Sequence, residues 1–176
     1  MSFCFITLIL ISTHCWGQSK RDYDAINLLI KLDTINNSHL LNNSSYLSKL
    51  HFNSNPFKPR QKKLLTSSFF IKKINRLINK NIASPTQEVD KSKIKKSFVK
   101  WDSKKIHFSR FIKKENNDFF YYTKPIFVSA NNFISINYFH TGGGGISIVL
   151  YKIDDLNENV EILGSITQLS YGIRFR

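Results

Sequence analysis

The feature that most limits what this chain can fold into is the stretch over residues 119–152, FFYYTKPIFVSANNFISINYFHTGGGGISIVLYK. Aromatic and β-branched runs alternate there with short polar or glycine-rich breaks, the composition of strands in an antiparallel meander. Pro125 lacks an N–H, which places it at a strand start or a sheet edge. Lys124, just before it, is biased towards extended backbone. Over residues 133–140 the alternation puts Phe133, Ser135, Asn137 and Phe139 on one side and Ile134, Ile136, Tyr138 and His140 on the other. A sheet with that much apolar surface needs a second layer over it.

The first half of the chain supplies helical patterns for that layer. Residues 22–35 read as a short helix with Asp22 as its N-cap. Residues 60–80 read as one amphipathic helix. Leu64, Phe70, Ile71, Ile74, Leu77 and Ile78 lie on its apolar face, and Lys72, Lys73, Arg76 and Lys80 on its basic face. Ser84-Pro85-Thr86-Gln87 has the form of a helix start with a capping box, predicting a helix to about Val99 that adds Lys95 and Lys96 to the basic surface. Trp101 follows as a core anchor between helix and sheet. A first strand is expected at residues 106–112, then one extended region made of 119–123 and 125–129, strands at 133–140 and 146–151, and a closing pair at 160–165 and 166–175, with polar turns at 116–118 and 154–159. The reading is α+β: two or three N-terminal helices packed on one face of a C-terminal antiparallel meander of about five strands. Residues 60–176 form a single domain, with basic helices over 60–101 and the meander over 104–176. Residues 18–59 form an N-terminal helix and an Asn/Ser-rich polar segment.

Residues 1–17 carry no charged side chain, and residues 3–11 are almost wholly apolar. That run has the length of a signal-peptide core and is too short to span a bilayer. Export to the periplasm or the medium, after cleavage near Gly17, is the expectation, and lipidation of Cys15 is its rival. Cys4 and Cys15 are the chain's two cysteines. A chain cleaved there has no thiol left for a disulfide, a metal or a nucleophilic mechanism.

Net charge is +14, and its placement says more than its size. Residues 58–114 hold 18 of the 26 Lys/Arg and 3 of the 12 Asp/Glu, so the remainder of the chain is close to neutral. A basic block of this kind suits an anionic envelope polymer, a lipid surface or another protein with an acidic face. Its aromatics, Phe69, Phe70, Phe98, Trp101, Phe108 and Phe111, are the residue type that stacks bases. They also fall at helix-core spacing, and export disfavours nucleic acid as the partner.

No catalytic or metal-ligating set emerges. Four glycines, Gly142, Gly143, Gly144 and Gly145, suggest phosphate binding only where a helix follows, and ISIVLY follows here. They read as a hairpin turn. Two glycines suffice for a tight turn, so four leave backbone that a ligand or partner can approach closely. His140 stands beside them and, with them, is the candidate contact site. His39, His51 and His107 lack partners at ligand spacing. Asp154, Asp155, Asn157, Glu158 and Asn159 lack the order and the central glycine of a calcium loop. The last residues alternate as a membrane-barrel strand does, yet the chain offers too few strands of barrel length. No cofactor is implied.

KPIFVSANNF, NYFHTGGGGISIVLYK and the preceding Trp101 resemble small exported proteins of Bacteroidetes-type bacteria. In these a Trp, a Pro-[Ile/Val]-Phe strand, a glycine-rich hairpin and a closing Leu-Tyr-Lys strand recur. The resemblance covers roughly residues 84–165 and implies export but no activity. It departs from the pattern where Val160-Glu161-Ile162 stands in place of a Trp-bearing strand. The expectation is a non-enzymatic binding module of the cell envelope. The alternatives are a small hydrolase using His140 near the glycine loop, and a peripheral membrane protein held by the basic amphipathic helix.

Overall fold

A computed structural model describes residues 18–37, 57–106, 119–140, 145–156 and 158–169. Residues 1–17, most of the polar segment, most of the strand expected at 106–112, the turn expected at 116–118, Gly142 to Gly144 and the last seven residues lie outside the described residues. Among the described residues, four helices precede a five-stranded antiparallel sheet, confirming the α+β class.

Helix α1, Lys20–Asn37, starts at a reciprocal cap. The Ser19 amide donates to the Asp22 carboxylate at 2.6 Å, and the Asp22 amide donates to Ser19 Oγ at 3.3 Å. Asp22 is therefore the third residue of a capping box rather than the N-cap, because Ser19 sits one turn earlier with the right hydroxyl. Ala25, Ile26, Leu29 and Ile30 recur at helical spacing and are all buried.

The single helix expected over residues 60–80 is two, α2 (Pro59–Leu65) and α3 (Ser68–Asn81). The break has a local cause. Thr66 Oγ1 donates back to the Lys62 and Lys63 carbonyls at 2.8 and 3.2 Å, and Ser67 Oγ accepts the Phe70 amide at 3.4 Å, starting a new helix. Leu64 moves off the apolar face as a result and is exposed, while Leu65 is buried.

The helix expected from Ser84 also starts late. Helix α4 spans Lys91–Ser97 and is capped by Asp90, whose carboxylate accepts the Lys93 amide at 2.8 Å. Residues 82–90 are held by tertiary bonds instead. The Thr86 amide and hydroxyl both donate to the Val128 carbonyl, at 2.8 and 2.9 Å, and Gln87 Nε2 donates to the Phe127 carbonyl. Asn75 of α3 accepts the Val89 amide and donates to the Val89 carbonyl, each at 2.9 Å, standing in for a neighbouring strand. A short 3-10 turn, Ser103–Lys105, follows Trp101.

The strands are β1 (Phe119–Tyr122), β2 (Ile126–Phe127), β3 (Asn132–His140), β4 (Gly145–Asp154) and β5 (Asn159–Leu169). Their order is β1-β3-β4-β5, with β2 also paired to β3. β1 and β2 thus share one edge, interrupted where Thr123 bonds Ile136 through its amide and its hydroxyl, at 3.1 and 2.9 Å. The two strands expected after the polar turn are one. It is continuous because a bulge absorbs its one irregularity: Leu150 faces Gly164 and Tyr151 faces Ile162, leaving Leu163 over.

Helices lie on both faces of the sheet, which corrects the one-faced expectation. Ile134, Leu150 and Gly164 form one cross-strand row. A Cβ on Gly164 would sit 2.9 Å from Leu77 Cδ1 and 3.3 Å from Asn81 Nδ2, so α3 packs directly on that face. Phe127, Phe133 and Tyr151 lie on the opposite face, with successive ring centroids 5.5 and 5.2 Å apart, and Arg21 of α1 lies 3.6 Å above the Phe127 ring. The physical reason is in β3, where consecutive residues from Phe133 to Ile136 are all fully buried. A strand buried on both sides needs two covers.

Trp101 joins the layers as expected. It is buried, donates Nε1–H to the Tyr122 carbonyl at 2.8 Å, and meets Tyr23 of α1 edge-on at 5.2 Å.

Candidate functional site: the cationic layer of α2 to α4

The Tyr121 and Tyr138 face of the sheet is covered by Phe57 and by the apolar stripes of α2 to α4. Phe57 touches the rings of Phe98, Tyr121 and Tyr138 at 5.0, 5.8 and 5.5 Å. Phe70, Ile74 and Ile78 of α3 and Ile94 of α4 are buried there. Turning these residues inward turns the intervening lysines outward. Residues 58–97 hold twelve Lys/Arg and two acidic residues, Glu88 and Asp90. Lys62 and Lys93 are half-exposed, and the other ten cations are exposed.

Lys72, Lys73, Arg76 and Lys80 lie together on the solvent side of α3, and Lys95 and Lys96 are exposed on α4, so all six expected basic residues belong to this layer. Among the described residues no cation of α2 or α3 is in an ion pair. Lys20–Asp24 at 2.8 Å and Lys124–Asp22 at 3.1 Å are ion pairs of α1 and the sheet edge. Two lysines rest on rings instead. Lys73 Nζ lies 4.5 Å from the Phe69 centroid, and Lys62 Nζ lies 5.6 Å from that of Phe98. Lys93, Lys96 and Lys124 line a shallow hollow of about 210 Å³ between α4 and β2.

Compared with known proteins, the chain matches no family model, no curated protein and no solved structure.

The glycine-loop candidates are placed only through their backbone. His140 pairs with Phe119 at the end of β3, and Gly145 opens β4 between Phe139 and Leu169. The His140 side chain and Gly142, Gly143 and Gly144 lie outside the described residues. A further groove, of about 450 Å³, runs between α1 and the β4–β5 turn and carries both signs of charge, from Lys20 and Lys31 to Asp24, Asp155 and Glu158. Its acidic groups serve the fold: Asp154 accepts the Leu156 amide at 3.1 Å, and Asp155 accepts from Asn131 Nδ2 at 3.0 Å.

Two titrating groups in the layer have clear structural causes. The Lys93 amide, more than any other partner, holds the Asp90 carboxyl below its ordinary value. Burial pushes the Tyr121 phenol above its ordinary value, so it stays protonated and donates to the Val99 carbonyl. Neither group is arranged for acid–base chemistry.

Sequence reasoning gave Phe69 the same standing as its aromatic neighbours. In the fold Phe70 and Trp101 are buried and Phe98 is half-buried, whereas Phe69 is 61% exposed. The signal was available in its spacing: Phe69 is i, i+4, i+7 and i+11 to Lys73, Arg76 and Lys80, on the basic stripe and not the core stripe.

Proposed function

We propose that the chain is an exported, non-enzymatic interaction module of the cell envelope, binding a polyanionic surface through the layer of α2 to α4. One observation supports this above the others. Twelve cations stand on or beside α2 to α4 against two acids, ten exposed and two half-exposed, and those of α2 and α3 form no ion pair among the described residues. Charge that stabilises a fold is paired or caps a helix. Charge left in water on one face raises the local concentration of anions and their rate of arrival.

Binding of this kind is salt-sensitive, because the screening length falls to about 10 Å near 0.1 M ionic strength. The test is retention of the chain beginning at Gln18 on an immobilised phosphate polymer, read across a salt gradient. Joint substitution Lys72→Glu, Lys73→Glu and Arg76→Glu moves elution to markedly lower salt on this proposal. Elution at the wild-type salt concentration would remove the electrostatic contact from consideration.

A further inference from the structure

We infer that the α2–α3 corner is a contact for an anionic lipid bilayer, with Phe69 as the group that enters the headgroup region; this rests on the polyanion-binding proposal above and names its partner. Two large apolar side chains stand in the open at this corner. Leu64, in the last turn of α2, is 39% exposed, and Phe69, in the first turn of α3, is 61% exposed. The core has no use for either, since Leu65 and Phe70, one residue further on, take the buried positions.

The surroundings suit a charged membrane surface. Phe69 heads the stripe of Lys72, Lys73, Arg76 and Lys80 along α3, and Lys62 and Lys63 flank Leu64 on α2. Lys73 lies over the Phe69 ring at 4.5 Å. A cationic stripe draws the molecule to anionic headgroups, and a short apolar projection beside it gains by leaving water at the headgroup–acyl boundary.

The mode differs from that of a free amphipathic helix. The apolar stripe of α3, Phe70, Ile74 and Ile78, is at most 5% exposed and already occupied by the sheet. The helix therefore approaches a membrane with its cationic side, and Phe69 is the α3 aromatic on that side available to enter it. The same fact separates a bilayer from a single-stranded nucleic acid. Stacking successive bases takes several exposed rings, and of the aromatics in the basic segment only Phe69 is largely exposed among the described residues. A soluble anionic polymer would make use of the lysines but not of Leu64 and Phe69.

The experiment uses the chain beginning at Gln18 with three probes: vesicles of phosphatidylglycerol and phosphatidylcholine, vesicles of phosphatidylcholine alone, and inorganic polyphosphate. Wild-type protein floats with the anionic vesicles and not with the neutral ones. Phe69→Ser combined with Leu64→Ser lowers partitioning onto anionic vesicles about tenfold, as expected for one aromatic and one aliphatic group partly leaving water, and leaves polyphosphate retention unchanged. Phe69→Trp reports the contact directly, its emission shifting to the blue with anionic vesicles only. Unchanged flotation of the double variant, or an equal shift of Phe69→Trp with single-stranded DNA, overturns the lipid contact while leaving polyanion binding in place. Loss of both vesicle and polyphosphate binding in wild-type protein overturns the two together.

Discussion

The two helical covers of the sheet use charge in opposite ways. On the α1 side, charged groups are built into the structure. Asp22 is 3% exposed, closes the capping box of α1 and pairs with Lys124 at 3.1 Å. Arg21 lies on the Phe127 ring and donates to the Ala130 carbonyl, and the Lys31 ammonium reaches the Glu158 carbonyl at 3.4 Å. On the α2–α4 side the fold is held mainly by apolar stripes and by neutral side-chain bonds such as those of Thr86, Asn75 and Ser67, with the Asp90 cap of α4 as a charged exception. Most of its cations lie outside in water, although Lys62 and Lys73 rest on rings and Lys93 donates to the Glu88 carbonyl. The contrast teaches where to look for function: charge that the fold consumes explains itself, and charge that the fold leaves in water is the place to test for a partner.

The contrast can be broken or sharpened by experiment. The largest expected effect is at the hinge between the layers: Trp101→Ala removes a buried indole and its bond to Tyr122 and costs about 3–5 kcal/mol in urea unfolding. A cost below about 1 kcal/mol would mean that Trp101 does not tie α1 to the sheet. On the α1 side, Asp22→Ala loses the cap and strands Lys124, with an expected cost of about 2 kcal/mol by the same measurement. A neutral result there would erase the distinction between the two covers.

Gly164→Ala probes the opposite side. Its methyl group meets Leu77 at 2.9 Å, but the atoms it meets are side-chain ends, so a cost of about 1 kcal/mol is expected, carried by a small displacement of α3. Replacing Lys72, Lys73 and Arg76 together with Gln leaves stability within about 0.5 kcal/mol per site while abolishing salt-dependent retention. A large loss of stability would show that these cations serve the fold after all. The smallest effect concerns Asp90. Its carboxyl sits below its ordinary value of 3.8, so its cap on α4 contributes fully above that value and fades as the pH falls through its folded-state value. Protection of the α4 amides, taken relative to the intrinsic exchange rate at each pH, should fall on acidification in the wild type and lose that dependence in Asp90→Ser, which caps without titrating.

How much was legible beforehand differs between parts of the chain. β3 was read correctly almost to the residue, because its alternation and the turns beside it are local signals. The helical half was misjudged at its joints. Thr66-Ser67 breaks a pattern whose apolar spacing runs straight through, and Ser84-Pro85-Thr86-Gln87 has every mark of a helix start. Its Thr and Gln instead find carbonyls at Val128 and Phe127, some forty positions away. The six basic residues of the candidate surface were legible because exposure of lysine follows from helical spacing once the core stripe is known. Phe69 was legible in the same way, from its place on the basic stripe, whereas Leu64 was not, since its exposure depends on the break between α2 and α3.

The sequence by itself determined the α+β class, the antiparallel strands, the basic central segment and the buried Trp101. Each follows from local composition or from a periodicity set by backbone geometry. The tertiary structure alone decided that the sheet is covered on both faces, that α1 absorbs its charges while α2 to α4 display most of theirs, and that Leu64 stands in water. Those outcomes depend on which carbonyls and rings lie across the fold, and a donor such as Thr86 bonds whichever acceptor the packing brings within about 3 Å.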